Sequence, residues 1–335
     1  MKKLALLLIG LLMVPALFLT SCDRGDDPSD PTVISTPAFT LVKDYLVQNN
    51  LDINNILTNT DGEKFVKAPP ATVDLVDGFL SKYDIMDIRS SDHFLAAHVS
   101  GAKNVAFADI LTEAANATKP ILVVCYTGQT ACYATGLLRM YGYPHTFALK
   151  WGMSGWNSNT AGPWNNSIGN PAQGHANWTN AGAPTNIVYE APVLSSLSTD
   201  GATILKERVE AIVSLGFQGV NSADVLANPG NYFINNYFTE KDYLGFGHIN
   251  GAYRINPLTL ADDSYLGLDP ADNAKVVTYC YTGQTSAVIT ACLRVLGYDA
   301  YSLKFGMNGL YNANPVWASN KWSGSVPKDF PTVSN

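Results

Sequence analysis

A six-residue stretch occurs twice in this chain, and little else about it is so restrictive. Cys125-Tyr126-Thr127-Gly128-Gln129-Thr130 returns 155 positions later as Cys280-Tyr281-Thr282-Gly283-Gln284-Thr285. Each copy follows an apolar run, Ile121-Leu122-Val123-Val124 and Val276-Val277-Thr278-Tyr279, and each precedes a helix-like segment, 131–141 and 286–296. Strand, short Gly-containing loop opening on a Cys, then helix is a geometry that can carry catalysis. Such a loop turns its backbone N–H groups inward, and the helix behind it adds the positive end of its dipole. Both effects stabilise a thiolate, or an anion held over it, so the expectation is a lowered thiol pKa at Cys125 and Cys280. The Gly supplies the positive φ such a cradle needs.

The duplication extends beyond the loops. Thr135-Gly136-Leu137-Leu138-Arg139-Met140-Tyr141-Gly142-Tyr143 matches Thr290-Ala291-Cys292-Leu293-Arg294-Val295-Leu296-Gly297-Tyr298. Leu149-Lys150-Trp151-Gly152-Met153-Ser154-Gly155 matches Leu303-Lys304-Phe305-Gly306-Met307-Asn308-Gly309, and Ala97-His98-Val99-Ser100-Gly101-Ala102 matches Gly247-His248-Ile249-Asn250-Gly251-Ala252. The period is far longer than a solenoid repeat, so each copy is expected to have its own core. In the first copy strands are expected at 84–88, 103–105, Ile121–Val124 and Thr146–Leu149, with helices at 91–97, 108–115 and 131–141 between them. Alternation of near-continuous apolar strands with helices implies an α/β fold, a mainly parallel sheet with helices on both faces. Ligands bind such sheets beyond the C-terminal strand ends, where Asp87-Ile88-Arg89, Cys125 and Lys150 all fall.

Asp87-Ile88-Arg89, His98-Val99-Ser100-Gly101-Ala102, the Cys-x-x-Gly loop and Gly152-Met153-Ser154-Gly155-Trp156, in that order over 72–156, resemble a rhodanese-like domain. The second copy, 201–310, keeps the last three motifs but reads Tyr232-Phe233-Ile234-Asn235-Asn236-Tyr237-Phe238 where an Asp-x-Arg is expected. The whole is similar to a tandem rhodanese protein. The resemblance implies a sulfurtransferase cycle: the thiolates of Cys125 and Cys280 take a sulfane sulfur from a thiosulfate- or polysulfide-type donor, and a thiol or cyanide-type acceptor removes it. No cofactor and no metal are implied. Related phosphatases use a loop one residue longer, and these loops look like the shorter, sulfur type.

The resemblance makes the loop residues Tyr126, Thr127, Gly128, Gln129, Thr130, Tyr281, Thr282, Gly283, Gln284 and Thr285 the substrate-binding candidates. Many relatives carry Arg or Lys in or closing the loop; here Thr130 and Thr285 close it. Lys150, Lys304 and, in the first copy alone, Arg89 are candidates for the missing cation; the alternatives are solvated strand-end lysines and a structural Asp87–Arg89 pair. His98 and His248 read as backbone-holding residues, and Trp151 and Phe305 as packing residues. Cys132 and Cys292 do not align between the copies, which marks them as buried structural thiols; a resolving role for Cys132 is the alternative.

The chain begins with Met1-Lys2-Lys3 and an apolar run, Leu4 to Leu19, too short for a membrane span and suited to a signal-peptide core. Leu19-Thr20-Ser21-Cys22 resembles the lipobox of bacterial lipoproteins, which implies cleavage before Cys22 and lipid on it. A polar tether follows, so the expected organisation is signal peptide 1–21, tether 22–37, first domain 38–156, an Asn/Gly/Pro-rich connector 157–200, and second domain 201–335. The expected location is the bacterial cell envelope, facing the periplasm or outer membrane. There are 21 basic and 28 acidic residues, and loss of residues 1–21 removes only Lys2 and Lys3 from that balance, leaving a net charge of −9. The lack of a basic run argues against nucleic acid as a partner.

Three functions fit: an envelope sulfurtransferase, a non-catalytic sulfur- or anion-binding module with envelope protein partners, and a redox protein for selenium or tellurium oxyanions. All three use the same two thiols.

Overall fold

The computed structural model describes residues 36–317 and 319–334. The signal peptide, Cys22 and the tether as far as residue 35 lie outside the described residues. The first copy runs α1 (Ala38–Gln48), α2 (Ile53–Leu57), β1 (Val66–Lys67), α3 (Val76–Leu80), β2 (Asp84–Asp87), α4 (Ser91–Ala96) and β3 (Ala102–Asn104). It continues with α5 (Ile110–Ala114), β4 (Ile121–Val124), α6 (Gln129–Tyr141), β5 (Thr146–Leu149) and α7 (Gly152–Trp156). The connector holds α8 (Gly162–Asn165) and β6 (Trp178–Thr179). The second copy has α9 (Gly201–Leu215), β7 (Gly219–Val220), α10 (Ser222–Ala227), β8 (Phe233–Asn236), α11 (Glu240–Phe246) and β9 (His248–Ile249). It ends with β10 (Val276–Tyr279), α12 (Gln284–Val295), β11 (Ala300–Leu303) and α13 (Gly306–Tyr311).

The sheets have the orders β1-β5-β4-β2-β3 and β7-β11-β10-β8, and every pairing within them is parallel. The expected parallel α/β architecture is therefore present twice. The period-2 geometry of a strand explains the continuous apolar runs. Ile121 and Val123 of β4 face one cluster while Leu122 and Val124 face another, so both sides of the sheet are covered.

The expectation of a separate core for each copy holds only on the outer faces. α3 and α7 cover the first sheet there with Leu80, Met153 and Trp156, and α10, α11 and α13 cover the second with Val225, Tyr243 and Leu310. Between the sheets one continuous core is shared, built on α6 and α12. Eleven of the thirteen residues of α6 are buried, so this helix has no solvent face and must be covered by the other copy. The helices cross where Gly136 meets Ala291 and Val288; a Cβ at Gly136 would lie 3.3 Å from the Ala291 Cβ.

The segments flanking the copies cross over. After α7 the connector runs onto the second copy, where Gly169 and Ala172 donate to the carbonyls of Asn308 and Leu310 and β6 pairs antiparallel with β9. The tail beyond α13 runs back onto the first copy, where Phe330 donates to Trp156 and Val333 bridges His98. α1 packs on α9, and the Asp52 carboxylate accepts from the N–H groups of Ile53, Leu260 and Ala261.

Candidate functional site

Each cysteine stands at the C-terminal end of the central strand of its sheet, with the N-terminus of α6 or α12 behind it. Gly128 (φ +84°) and Gly283 (φ +75°) turn the chain into the helix, which starts at Gln129 and Gln284. Thr130 and Thr285 accordingly lie in the first helical turn and do not close the loop as expected; the glycine turn starts the helix two residues early. The turn aims N–H groups at the sulfur. Cys125 Sγ accepts from Gly128 N at 3.2 Å and Ala131 N at 3.3 Å. Cys280 Sγ accepts from Ser286 N at 3.4 Å and lies 3.6 Å from the Ser286 hydroxyl, which in turn is 2.8 Å from Ser302. The first copy has Ala131 and Ala148 at these two places and no hydroxyl relay.

A second layer holds each loop from below. Met153 N and Ser154 N donate to the carbonyls of Cys125 and Tyr126; Met307 N and Asn308 N do the same for Cys280 and Tyr281. The chain passes so close that a Cβ on Gly152 would sit 2.4 Å from the Cys125 carbonyl oxygen, and on Gly306 even closer to that of Cys280. Only glycine fits, and both have positive φ. Trp151 and Phe305 just before them also take positive φ, 66° and 62°, which is strained for an aromatic residue.

The two loops touch. Gln129 Oε1 accepts from Phe305 N at 2.7 Å, and Gln284 Nε2 donates to the Thr127 carbonyl at 3.1 Å. Trp151, Trp164, Trp322 and Phe305 form an aromatic roof over this contact, with Trp164 and Trp322 stacked at 5.1 Å and Trp164 Nε1 donating to Thr127 O. Trp164 comes from the connector and Trp322 from the tail. Cys125 and Cys280 are only 3 % and 2 % exposed, and Thr127, Gly128, Gln129, Thr282, Gly283 and Gln284 are buried with them; Tyr126, Thr130, Tyr281 and Thr285 keep partial access.

Burial corrects the expectation of a lowered thiol pKa in the first copy. Removal from water is the largest influence on Cys125 and pushes its pKa up; the N–H groups of Ala131, Thr127 and Gly128 pull it down but do not overcome burial. Cys132, fully buried in the shared core, is pushed up well above the ordinary thiol value by the same cause.

Arg89 is buried and gives its bonds to the Asp87 carboxylate (2.6 Å) and the Ala97 carbonyl (2.6 Å), with the guanidinium 5.6 Å from the Tyr126 ring centre. Lys150 donates to Asn320 and lies over Trp151. Lys304 is half-buried, its stem against Gly219. The bonds of Arg89 and Lys150 thus run to groups other than the thiols. His98 and His248 bond the carbonyls of Phe94 and Tyr243 and stack on those rings.

Sequence reasoning passed over the residues holding the loop tyrosines. Tyr126 OH is 2.6 Å from His93 Nδ1 and 3.1 Å from Ser90 Oγ, whereas Tyr281 donates to Asp242 at 2.5 Å. These residues, like Ser286, belong to the positions where the aligned copies differ, and that difference was the available signal.

The rhodanese-like domain model matches residues 72–159 and again 237–313, and the chain belongs to the rhodanese-like sulfurtransferase family. The thiosulfate sulfurtransferase GlpE of Pseudomonas fluorescens is 33 % identical over 75 residues, which span 22 % of this chain and 68 % of that protein. The GlpE of Tolumonas auensis is 31 % identical over 74 residues, 22 % of this chain and 70 % of its own. Among solved structures, a thiosulfate sulfurtransferase from Pseudomonas aeruginosa is 17 % identical, with 88 % of this chain and 49 % of that one covered at a TM-score of 0.28. The 3-mercaptopyruvate sulfurtransferase from Leishmania major is 13 % identical, with 71 % of each chain covered at a TM-score of 0.26.

Proposed function

We propose that this protein moves sulfane sulfur through persulfides on Cys125 and Cys280, from a thiosulfate- or polysulfide-type donor to a thiol or cyanide-type acceptor. The observation that carries the reading is the pair of N–H groups, Gly128 and Ala131, directed at Cys125 Sγ, with the Ser286 N–H in the matching place at Cys280. With thiosulfate, the thiolate attacks the outer sulfur. A new S–S bond forms, the bond to the sulfonate sulfur breaks, and its electron pair leaves with sulfite. An acceptor nucleophile then takes the terminal sulfur and returns the thiolate, with no net redox change. The inward N–H groups suit the anionic terminal sulfur of the persulfide. Thiocyanate formation from thiosulfate and cyanide tests this: the native chain turns over, and the Cys125→Ser/Cys280→Ser double variant does not. Turnover by the double variant at the native rate overturns it.

A second reading, a non-catalytic sulfur- or anion-binding module, is favoured by the near-complete burial of both thiols. Location at the bacterial envelope, through lipid on Cys22, rests on the Leu19-Thr20-Ser21-Cys22 sequence. Cys22→Ala is expected to release the protein from the membrane fraction; retention of that variant contradicts the anchor.

A further inference from the structure

The loop tyrosine, one residue after each cysteine, keeps partial access to solvent while the thiol beside it is buried. In the first copy its hydroxyl meets the imidazole of His93 and the hydroxyl and N–H of Ser90. Behind its ring stands Arg89, whose charge is matched by Asp87 at 2.6 Å. In the second copy both supports have changed. Phe238 replaces Arg89 and stacks on Tyr281 with ring centres 4.6 Å apart, and Asp242 replaces His93 and takes the tyrosine proton donor at 2.5 Å. Among the described residues Asp242 has no cation within ion-pair distance; its carboxylate stands in the first turn of α11 and meets the Tyr281 hydroxyl beside the loop. The neighbouring Asp92, Glu240 and Lys241 are exposed, as is His93, and are screened by solvent, whereas Asp242 is half-buried.

We infer that His93 and Asp242 set the charge of donor each loop admits: Cys125 takes an anionic sulfur donor, while Cys280 disfavours anions and serves uncharged sulfur carriers. This rests on the sulfur-transfer reading above. The loops are identical in sequence, so a difference in anion preference must come from outside the six residues. Asp242 brings a carboxylate to the tyrosine where the first copy has the imidazole of His93, while the Arg89 charge behind Tyr126 is matched by Asp87. A carboxylate a few ångströms from the path of an anion at a partly exposed site slows its approach about three- to tenfold at low ionic strength, and less as salt is added.

The test uses two alkylating probes of similar size, anionic iodoacetate and neutral iodoacetamide, on the full chain, with each cysteine followed by peptide mass spectrometry. The ratio of iodoacetate to iodoacetamide rates is expected to be at least threefold higher at Cys125 than at Cys280 in low salt. Asp242→Asn, which keeps an acceptor for Tyr281, should raise the ratio at Cys280 toward that at Cys125, and His93→Asp should lower it at Cys125. The iodoacetamide rate reports separately whether either variant has disturbed the loop. Thiosulfate should load Cys125 before Cys280. Equal ratios at the two thiols, or faster thiosulfate loading of Cys280, overturn the inference even where sulfur transfer itself stands. Unequal ratios with no sulfur loaded by any donor leave charge selection at the loops but remove the sulfur donor.

Discussion

The side-chain amide of Gln284, in the second copy, donates to the backbone carbonyl of Thr127 in the first at 3.1 Å. Gln129 occupies the same place in the other loop and reaches back to accept from Phe305 N at 2.7 Å. Each cysteine loop is therefore completed by a residue of its twin, and two copies sharing a core also share their site.

The two glutamines should not be equivalent. Thr127 O also accepts from Trp164 Nε1, so it keeps a partner in Gln284→Ala, whereas Gln129→Ala strips Phe305 N of its acceptor. Urea unfolding should show a loss of about 1–3 kcal/mol for Gln129→Ala and about half that for Gln284→Ala. Equal losses would contradict the assignment.

Asp87 and Arg89 form a buried ion pair that the second copy lacks; there Asn236 Oδ1 accepts from Phe238 N as Asp87 Oδ1 accepts from Arg89 N. Asp87→Asn leaves a buried guanidinium without its counter-charge and should cost about 3–5 kcal/mol. Adding Arg89→Phe rebuilds the second copy's arrangement and should recover most of it. A double variant no more stable than the single would show that the pair does more than neutralise itself.

Burial holds the Cys125 thiol above its ordinary pKa, so the thiolate fraction at neutral pH is small and grows with pH. Its alkylation by iodoacetamide should still be accelerating above about pH 9, beyond the usual thiol midpoint. A plateau below about pH 8 would mean that the N–H groups and helix dipole outweigh burial.

What could be read from the sequence was local. The loop residues, the strand ends on which they stand and the parallel sheets follow from apolar runs and the paired Cys-Tyr-Thr-Gly-Gln-Thr stretches. Which copy a helix faces does not. α6 looks the same in sequence whether its second face meets its own sheet or the twin of itself, and so the shared core at Gly136 and Ala291 went unseen. The aromatic roof over the loop contact was hidden for the same reason, since it draws on Trp164 and Trp322, distant in the chain and contributed by crossed arms. His93 and Asp242 were legible only as a mismatch between aligned copies, and became meaningful once both were found on the loop tyrosines.

Sulfur carried on the loop thiols is the step on which the proposed function depends. Intact mass after incubation with thiosulfate, and separately with polysulfide, tests it most directly, with Cys125→Ser and Cys280→Ser run alongside. A gain of one sulfur atom per working loop is expected, lost with the matching cysteine and removed by cyanide. No gain from either donor, with both thiols free and open to alkylation, would contradict it.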